Sequence, residues 1–384
     1  MQFAPLWGLD PSVTFLNHGS FGACPSAVLA VQSSLRLEME REPVDFLAAS
    51  LPARLNAARE SLAAFLGAEP QDVVFVQNAT AGVNAVLRSL LFQPGDELLV
   101  TNHTYAACRK TVDFVAQRSG ARVIEASLPF PCRHEQDIVT AVLGCVSPKT
   151  RLALIDHVTS PTALVLPLAH LVAELQARGI DTLVDGAHAP GMVPLALSKL
   201  GAAYYTGNAH KWLCAPKGAA FLHVRRDRQS QLHPNVISHG YTAGFRAEFD
   251  WTGTSDPTPW LCIPESVRFM GALLPGGWPE LMATNRALAL QARSLLLKSL
   301  RIEAPCPESM IGSMASMPLP VAEVGSTAER LDCDGLHAWF RERNVETVFH
   351  PTPVRVLRIS AQLYNTLEQF RQLAGLLEQA WRAA

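Results

Sequence analysis

Asp185 and Lys211 stand out for the chemistry that their types and spacing allow. Asp185 closes an apolar run, Leu183-Val184-Asp185. Lys211 follows 26 residues later, between two further apolar runs, one through Tyr204-Tyr205 and the other from Ala219 to Val224. An acid at a strand end with a lysine on a nearby turn suits a pyridoxal 5'-phosphate (PLP) site. The amine would form a Schiff base with the cofactor aldehyde, and the carboxylate would keep the pyridine nitrogen protonated so that the ring acts as an electron sink. The chain has six lysines, 110, 149, 199, 211, 217 and 298, and a solvated surface charge is the ordinary role of most. Lys211 differs because His210 and Trp212 flank it in Gly207-Asn208-Ala209-His210-Lys211-Trp212. Packing among such groups desolvates an amine and favours its neutral, nucleophilic form. Asp185 taken alone also fits a helix cap or a metal ligand.

The elements that must position these groups read as alternating strands and helices. Helices are expected over 26–41 and 53–66, the second with Leu55, Ala58, Leu62 and Phe65 or Leu66 on one face and Gly67 as its stop. Strands are expected over 73–76, 97–101, 121–125, 151–156 and 181–185, with helices after Asn78-Ala79-Thr80-Ala81-Gly82 and over 107–118, 135–145 and 167–178. Near-continuous apolar strands separated by helices imply a largely parallel sheet covered on both faces. Sites in such sheets lie beyond the C-terminal strand ends. The polar candidates fall there: Asn78, His103 and Tyr105, Thr159 and Ser160, then Asp185 and His188. The strand–loop–helix at Asn78–Gly82 also suits an anion, since free N–H groups and the helix dipole point outward; a capped helix without ligand fits it as well.

The motif D-G-A-H followed by G-N-x-H-K-W resembles the class V aminotransferase family of fold type I PLP enzymes. Phe15-Leu16-Asn17-His18-Gly19-Ser20-Phe21-Gly22 and Leu357-Arg358-Ile359-Ser360-Ala361-Gln362-Leu363-Tyr364-Asn365 resemble its isopenicillin N epimerase-like branch. The resemblance runs from about residue 13 to the end. It implies an α/β fold: a large domain over 26–260 with a mostly parallel seven-stranded sheet between helices, a smaller α+β domain over 261–384, and an arm over 1–25 at the active-site entrance. It implies PLP bound at Lys211 and Asp185. The cofactor phosphate would lie near Ala79, Thr80, Asn208 and His210, with Ser160 at the ring hydroxyl and His188 near that hydroxyl or the phosphate. Tyr105 is the preferred stacking aromatic, with His103 as the alternative. Asn17 and His18 would touch substrate, and Arg358 would hold an α-carboxylate through paired hydrogen bonds. Trp251-Thr252-Gly253-Thr254-Ser255-Asp256 resembles a segment that reaches a neighbouring subunit's phosphate, which implies a homodimer with Thr254 acting in trans.

Bulk properties narrow the classes further. A net charge of -2 with no basic run gives no sign of nucleic acid. No apolar run approaches a membrane span and the N-terminal residues lack a signal-peptide pattern. The eight cysteines form no CxxC pair, so reduced thiols in a cytoplasmic protein are expected. In the second domain, helices are expected over 264–274, 279–300, 333–343 and 366–382, and strands over 319–323, 345–349 and 354–360. The expected activity is chemistry at Cα of an amino-acid-like substrate: epimerisation first, with C–S lysis, desulfurase-type elimination and transamination as alternatives. Two-base epimerisation needs a second acid/base, for which Tyr105, His103 and His18 are candidates. A desulfurase needs a mobile thiolate, and Cys306 between Pro305 and Pro307 sits in a stiff loop. A cofactor-binding protein without turnover would tend to have lost Lys211 or Asp185.

Overall fold

The computed structural model of the chain describes residues 2–383. Seven strands share one sheet: β1 (Val73–Val76), β2 (Glu97–Thr101), β3 (Arg122–Ala126), β4 (Thr150–Asp156), β5 (Asp181–Asp185), β6 (Tyr204–Asn208) and β7 (Ala220–Val224). Their spatial order is β1-β7-β6-β5-β4-β2-β3. β7 is antiparallel to both its neighbours, and the other pairs are parallel. The strands look uniformly apolar in sequence, but their residues divide by parity. Val74, Leu98, Leu152, Leu154, Leu183 and Tyr204 pack into one core layer. Val73, Leu99, Ala153, Ile155, Val184 and Tyr205 pack into the other. A sheet buried on both faces makes period-two alternation invisible to hydropathy.

Helices α1 (Ser26–Arg41), α2 (Leu51–Leu66), α3 (Ala79–Ser89), α4 (Ala106–Ser119), α5 (Glu135–Leu143) and α6 (Leu168–Ala177) accompany this sheet. Gly67 ends α2 in the left-handed region at φ +60° and donates to the carbonyls of Ala63 and Ala64, the stop expected of a C-terminal glycine. α3 lies so close to β6 that a Cβ on Gly82 would overlap the Thr206 hydroxyl. That approach sets the height of the α3 N-terminus over the strand ends.

The C-terminal part holds a long helix, α7 (Gly277–Leu300), and a final helix, α8 (Leu367–Trp381). Beside them is an antiparallel sheet of β8 (Met314–Pro318), β9 (Val348–His350) and β10 (Val356–Ser360), in the order β9-β10-β8. The strand expected over 319–323 is thus found five residues earlier. Met314, Ala315 and Met317 are buried and pair with β10, whereas Val321 and Val324 are 98% and 85% exposed. Pro320 lacks the N–H that a ladder needs. The single strand expected over 345–349 is two pieces: Val345–Glu346 pairs in parallel with Thr14–Phe15, and β9 pairs with β10. The first residues are therefore tied to the C-terminal lobe, and Ser360 N–H donates to the Leu16 carbonyl at 2.8 Å. Within the arm, His18–Phe21 forms one helical turn.

Candidate active site

The C-terminal ends of the parallel strands open onto a cavity of about 550 Å³. Gln77 and Asn78 enter it after β1, Tyr105 after β2, Ser160 after β4, Asp185, Ala187 and His188 from β5, and Asn208, His210 and Lys211 from β6. Asp156 and Asp185 share the parity of Leu154 and Leu183, which face α3 and α4.

Lys211 lies on the connection between β6 and β7. Its Nζ is 3.3 Å from His188 Nε2. Trp212 Nε1–H donates to His188 Nδ1 at 3.4 Å, so the single proton of a neutral imidazole sits on Nε2, facing Lys211. That contact suits an uncharged amine, whose lone pair can accept. Burial, reinforced by the Arg358 cation, lowers the Lys211 pKa to about 8. Burial, then the Lys211 charge, also holds His188 neutral by pushing its pKa well down.

Asp185 lies buried at the end of β5. One oxygen accepts the Ala187 N–H at 3.0 Å and the other the Cys108 thiol at 3.2 Å. It caps its own turn rather than a helix. Among the described residues, no group of three or more His, Cys, Asp or Glu side chains could hold a metal ion. Asp156 stands beside it in register on β4. Burial first, then the Asp185 charge, push the pKa of Asp156 well above the ordinary carboxylate value. Its Oδ2 is buried without a partner, and the residue lines the cavity.

The anion end is built by α3. Asn78 caps the helix by accepting the Ala81 N–H at 2.8 Å, and Asn208 Oδ1 accepts the Ala79 N–H at 2.8 Å. Thr80 sits in the cavity wall between them. His210 Nδ1–H donates to the Ala219 carbonyl at 3.0 Å, and burial lowers its pKa to about 4. A positive helix end, an amine and a buried carboxylate around one cavity fit a phosphorylated pyridine aldehyde in size and donor chemistry.

Not every sequence candidate reaches the cavity. Tyr105 does, 44% exposed at the start of α4. His103 is fully buried, with Nδ1 2.8 Å from Thr162 Oγ1 and its ring edge-on to Phe130, and it is not part of the wall. His18 is also fully buried: Nδ1 is 2.8 Å from Tyr364 Oη and Nε2 is 3.0 Å from the Lys211 carbonyl. Asn17 is not part of the wall: its Nδ2 donates to Glu346 at 3.0 Å and its Oδ1 accepts from Ser20 Oγ at 2.7 Å. Arg358 lies just behind the wall. Its Nη1 donates to the Ser160 carbonyl at 2.6 Å and to Ser160 Oγ at 3.2 Å, and its Nη2 donates to Ser20 Oγ at 3.0 Å. Ser20 and Ser160 themselves line the cavity. Burial lowers the Arg358 pKa to about 10, and its partners are hydroxyls and carbonyls. Thr254 is exposed on the loop between Trp251 and Pro257, outside the cavity wall. Ser20, Phe21 and Asp156 are wall residues that motif reading passed over, although Ser20 and Phe21 belong to the quoted Asn17–Gly22 motif.

Comparison with known proteins bears on the family. The family model for class V aminotransferases matches residues 35–260. Isopenicillin N epimerase of Streptomyces clavuligerus is 37% identical, covering 96% of this chain and 95% of its own. The corresponding enzyme of Amycolatopsis lactamdurans is 36% identical over 97% and 96%. A probable chloroplastic L-cysteine desulfhydrase of Arabidopsis thaliana is 33% identical over 95% and 82%. Among solved structures, the cystine C-S lyase C-DES in complex with cysteine persulfide superposes with a TM-score of 0.81 at 19% identity, covering 97% of this chain and 99% of that one. At that identity the likeness shows the fold alone. The sequence matches decide membership: this chain belongs to the class V aminotransferase family, PLP-dependent enzymes of fold type I.

Proposed function

We propose that the protein abstracts and returns the Cα proton of an amino-acid derivative with inversion, as an epimerase, with Lys211 as the acting base. The observation that carries this reading is the convergence of Lys211, His188 and Asp185 on one cavity, with the amine held largely desolvated. When bound, PLP supplies an aldehyde that captures the substrate amine and a ring that takes up the electron pair left at Cα. Asp185 would hold a proton on the ring nitrogen, and the α3 end with Thr80 and the Asn208 amide would hold the phosphate, whereas the one N–H of neutral His210 is committed to the Ala219 carbonyl. Tyr105 would cover the ring, and Ser160 would meet its hydroxyl. Arg358 is a buried cation whose partners are neutral, and an incoming carboxylate would displace the Ser20 and Ser160 contacts. Of the three candidates for a second acid/base, only Tyr105 faces the cavity. Lys211 and Tyr105 would then serve opposite faces of Cα.

A second reading, β-elimination from a cysteine derivative, draws support from the desulfhydrase relatives. Desulfurase chemistry through Cys306 draws none. That residue is 5% exposed, lies 3.8 Å from Arg293, and has a thiol pKa pushed up by burial to about 11. We further place the enzyme in the cytoplasm, where its eight free cysteines would stay reduced, as a homodimer with Thr254 serving the neighbouring site. Among the described residues no helix is long and apolar enough to cross a membrane.

The test is a panel of L- and D-amino acids and cysteine derivatives incubated with the PLP-loaded protein in D2O, read by chiral chromatography and mass spectrometry. Deuterium at Cα with inversion supports epimerisation. Pyruvate, ammonia and a sulfur product select elimination. Retention of the cofactor's visible band in Lys211→Ala would sink both readings.

A further inference from the structure

The motifs around His18 and Tyr364 stand at opposite ends of the sequence, and neither side chain reaches the cavity wall. They meet behind it. The Lys211 carbonyl accepts two hydrogen bonds, from the Cys214 N–H at 3.1 Å and from His18 Nε2 at 3.0 Å. A carbonyl can only accept, so the His18 proton sits on Nε2, and Nδ1 accepts from the Tyr364 hydroxyl at 2.8 Å. Both lone pairs of the carbonyl and both nitrogens of the imidazole are thereby committed. The cluster is closed by rings: Trp212 packs 4.7 Å from His18, and Trp7 lies edge-on to Tyr364 at 5.2 Å. Burial keeps His18 neutral by lowering its pKa to about 3.

One further feature presses the same arm against the same turn, and another ties the arm to β10. Gly22 has φ +72°, and a Cβ there would overlap the His210 carbonyl oxygen and crowd the Lys211 backbone. Gly19 N–H donates to Ser360 Oγ at 3.0 Å, which locks the arm to β10. The turn itself is constrained, since Cys214 is a non-glycine residue at φ +61°.

We propose that His18 and Tyr364 form a clamp on the Lys211 backbone and are positioning residues for the lysine, not substrate contacts. The clamp fixes the main chain while His188 meets the amine, so the direction of the Lys211 side chain is set at both ends. This rests on the reading of Lys211 as the cofactor-bearing lysine.

The test compares wild type with Tyr364→Phe, His18→Gln and His18→Leu. In cofactor-free protein, amide exchange at Trp212–Cys214 reports the turn directly. In PLP-loaded protein, the pH midpoint of the cofactor's visible band reports the environment of the lysine nitrogen. Tyr364→Phe removes one hydroxyl and no volume. It is expected to speed exchange about tenfold, to move the pH midpoint, and to lower kcat about tenfold with KM within about twofold, since small misplacements of a reacting group act on the chemical step. His18→Gln can still donate to the Lys211 carbonyl and is expected to fall between wild type and His18→Leu. The proposal is overturned if Tyr364→Phe keeps wild-type exchange and pH midpoint, or if Gln and Leu at position 18 behave alike. Should His18→Leu fail to fold, Tyr364→Phe decides alone. Should the wild type show no cofactor band, the functional reading fails while the exchange comparison still judges the clamp.

Discussion

Replacing Lys211 by Met is expected to stabilise the cofactor-free protein at neutral pH while removing its activity. In the folded protein the amine titrates near pH 8, lowered from 10.5 first by burial and then by the Arg358 cation. In the unfolded chain it returns to 10.5. Between those values the unfolded state binds more protons, so this group makes stability rise with pH across the window from about 8 to 10.5. Below pH 8 the folded state bears the full cost of a charged, desolvated amine. A gap of about two and a half pH units at about 1.4 kcal/mol each gives an upper bound of about 3.5 kcal/mol. Part of the side chain reaches the cavity, so about 1.5–3 kcal/mol is expected at pH 7. Urea melts of wild type and Lys211→Met at pH 7, 9 and 10.5 measure this. The variant should be more stable at pH 7, and the difference should shrink as pH rises towards 10.5. A variant that is less stable at pH 7, or a difference that does not change with pH, would refute the account of a desolvated lysine.

Four other outcomes follow from the same geometry. Gly22→Ala combines a positive φ with overlap on the His210 carbonyl; a loss of about 2–4 kcal/mol in denaturant melts is expected, accompanied by weaker cofactor retention on dialysis. Asn208→Ala removes the acceptor for the Ala79 N–H and should weaken PLP binding about tenfold in an absorbance titration, the effect of about 1.4 kcal/mol. Gly82→Ala places a Cβ on Thr206 Oγ1 and should lift α3 from β6, seen as a higher Kd for PLP with only a small change in KM once the enzyme is loaded. Cys306→Ser should leave turnover within about twofold of wild type with any cysteine derivative that serves as substrate; loss of sulfur release would restore a thiolate mechanism.

The sheet and the convergence of strand ends were legible because each buried strand is a short apolar run with a polar residue just past its end. The candidate residues at those ends, Asp185, Tyr105, Asn208 and Lys211, line one cavity for that reason. What was not legible is where a loop side chain points. His103 and Tyr105 are two residues apart in one loop, yet one faces Phe130 in the interior and the other faces the cavity. His18 sits in a motif that motif reading assigned to substrate contact, but its two nitrogens are taken by groups 193 and 346 residues away, and no local pattern encodes that. The displaced β8 has another cause. Met314–Met317 carries two small residues between flexible ones and has weak strand character in isolation; pairing with β10 and cover from α7 make it a buried strand.

The separation of His18 from Tyr364 also bears on how the enzyme is made. A chain leaving the ribosome presents the seven-stranded sheet and Lys211 long before residue 364 exists, and domains tend to fold in the order of their synthesis. During that interval His18 can reach the Lys211 carbonyl but lacks the Tyr364 hydroxyl that holds its other nitrogen, and Arg358 is also missing from behind the cavity. A protein halted or truncated before Tyr364 would carry the Lys211 amine without the complete clamp proposed for its backbone.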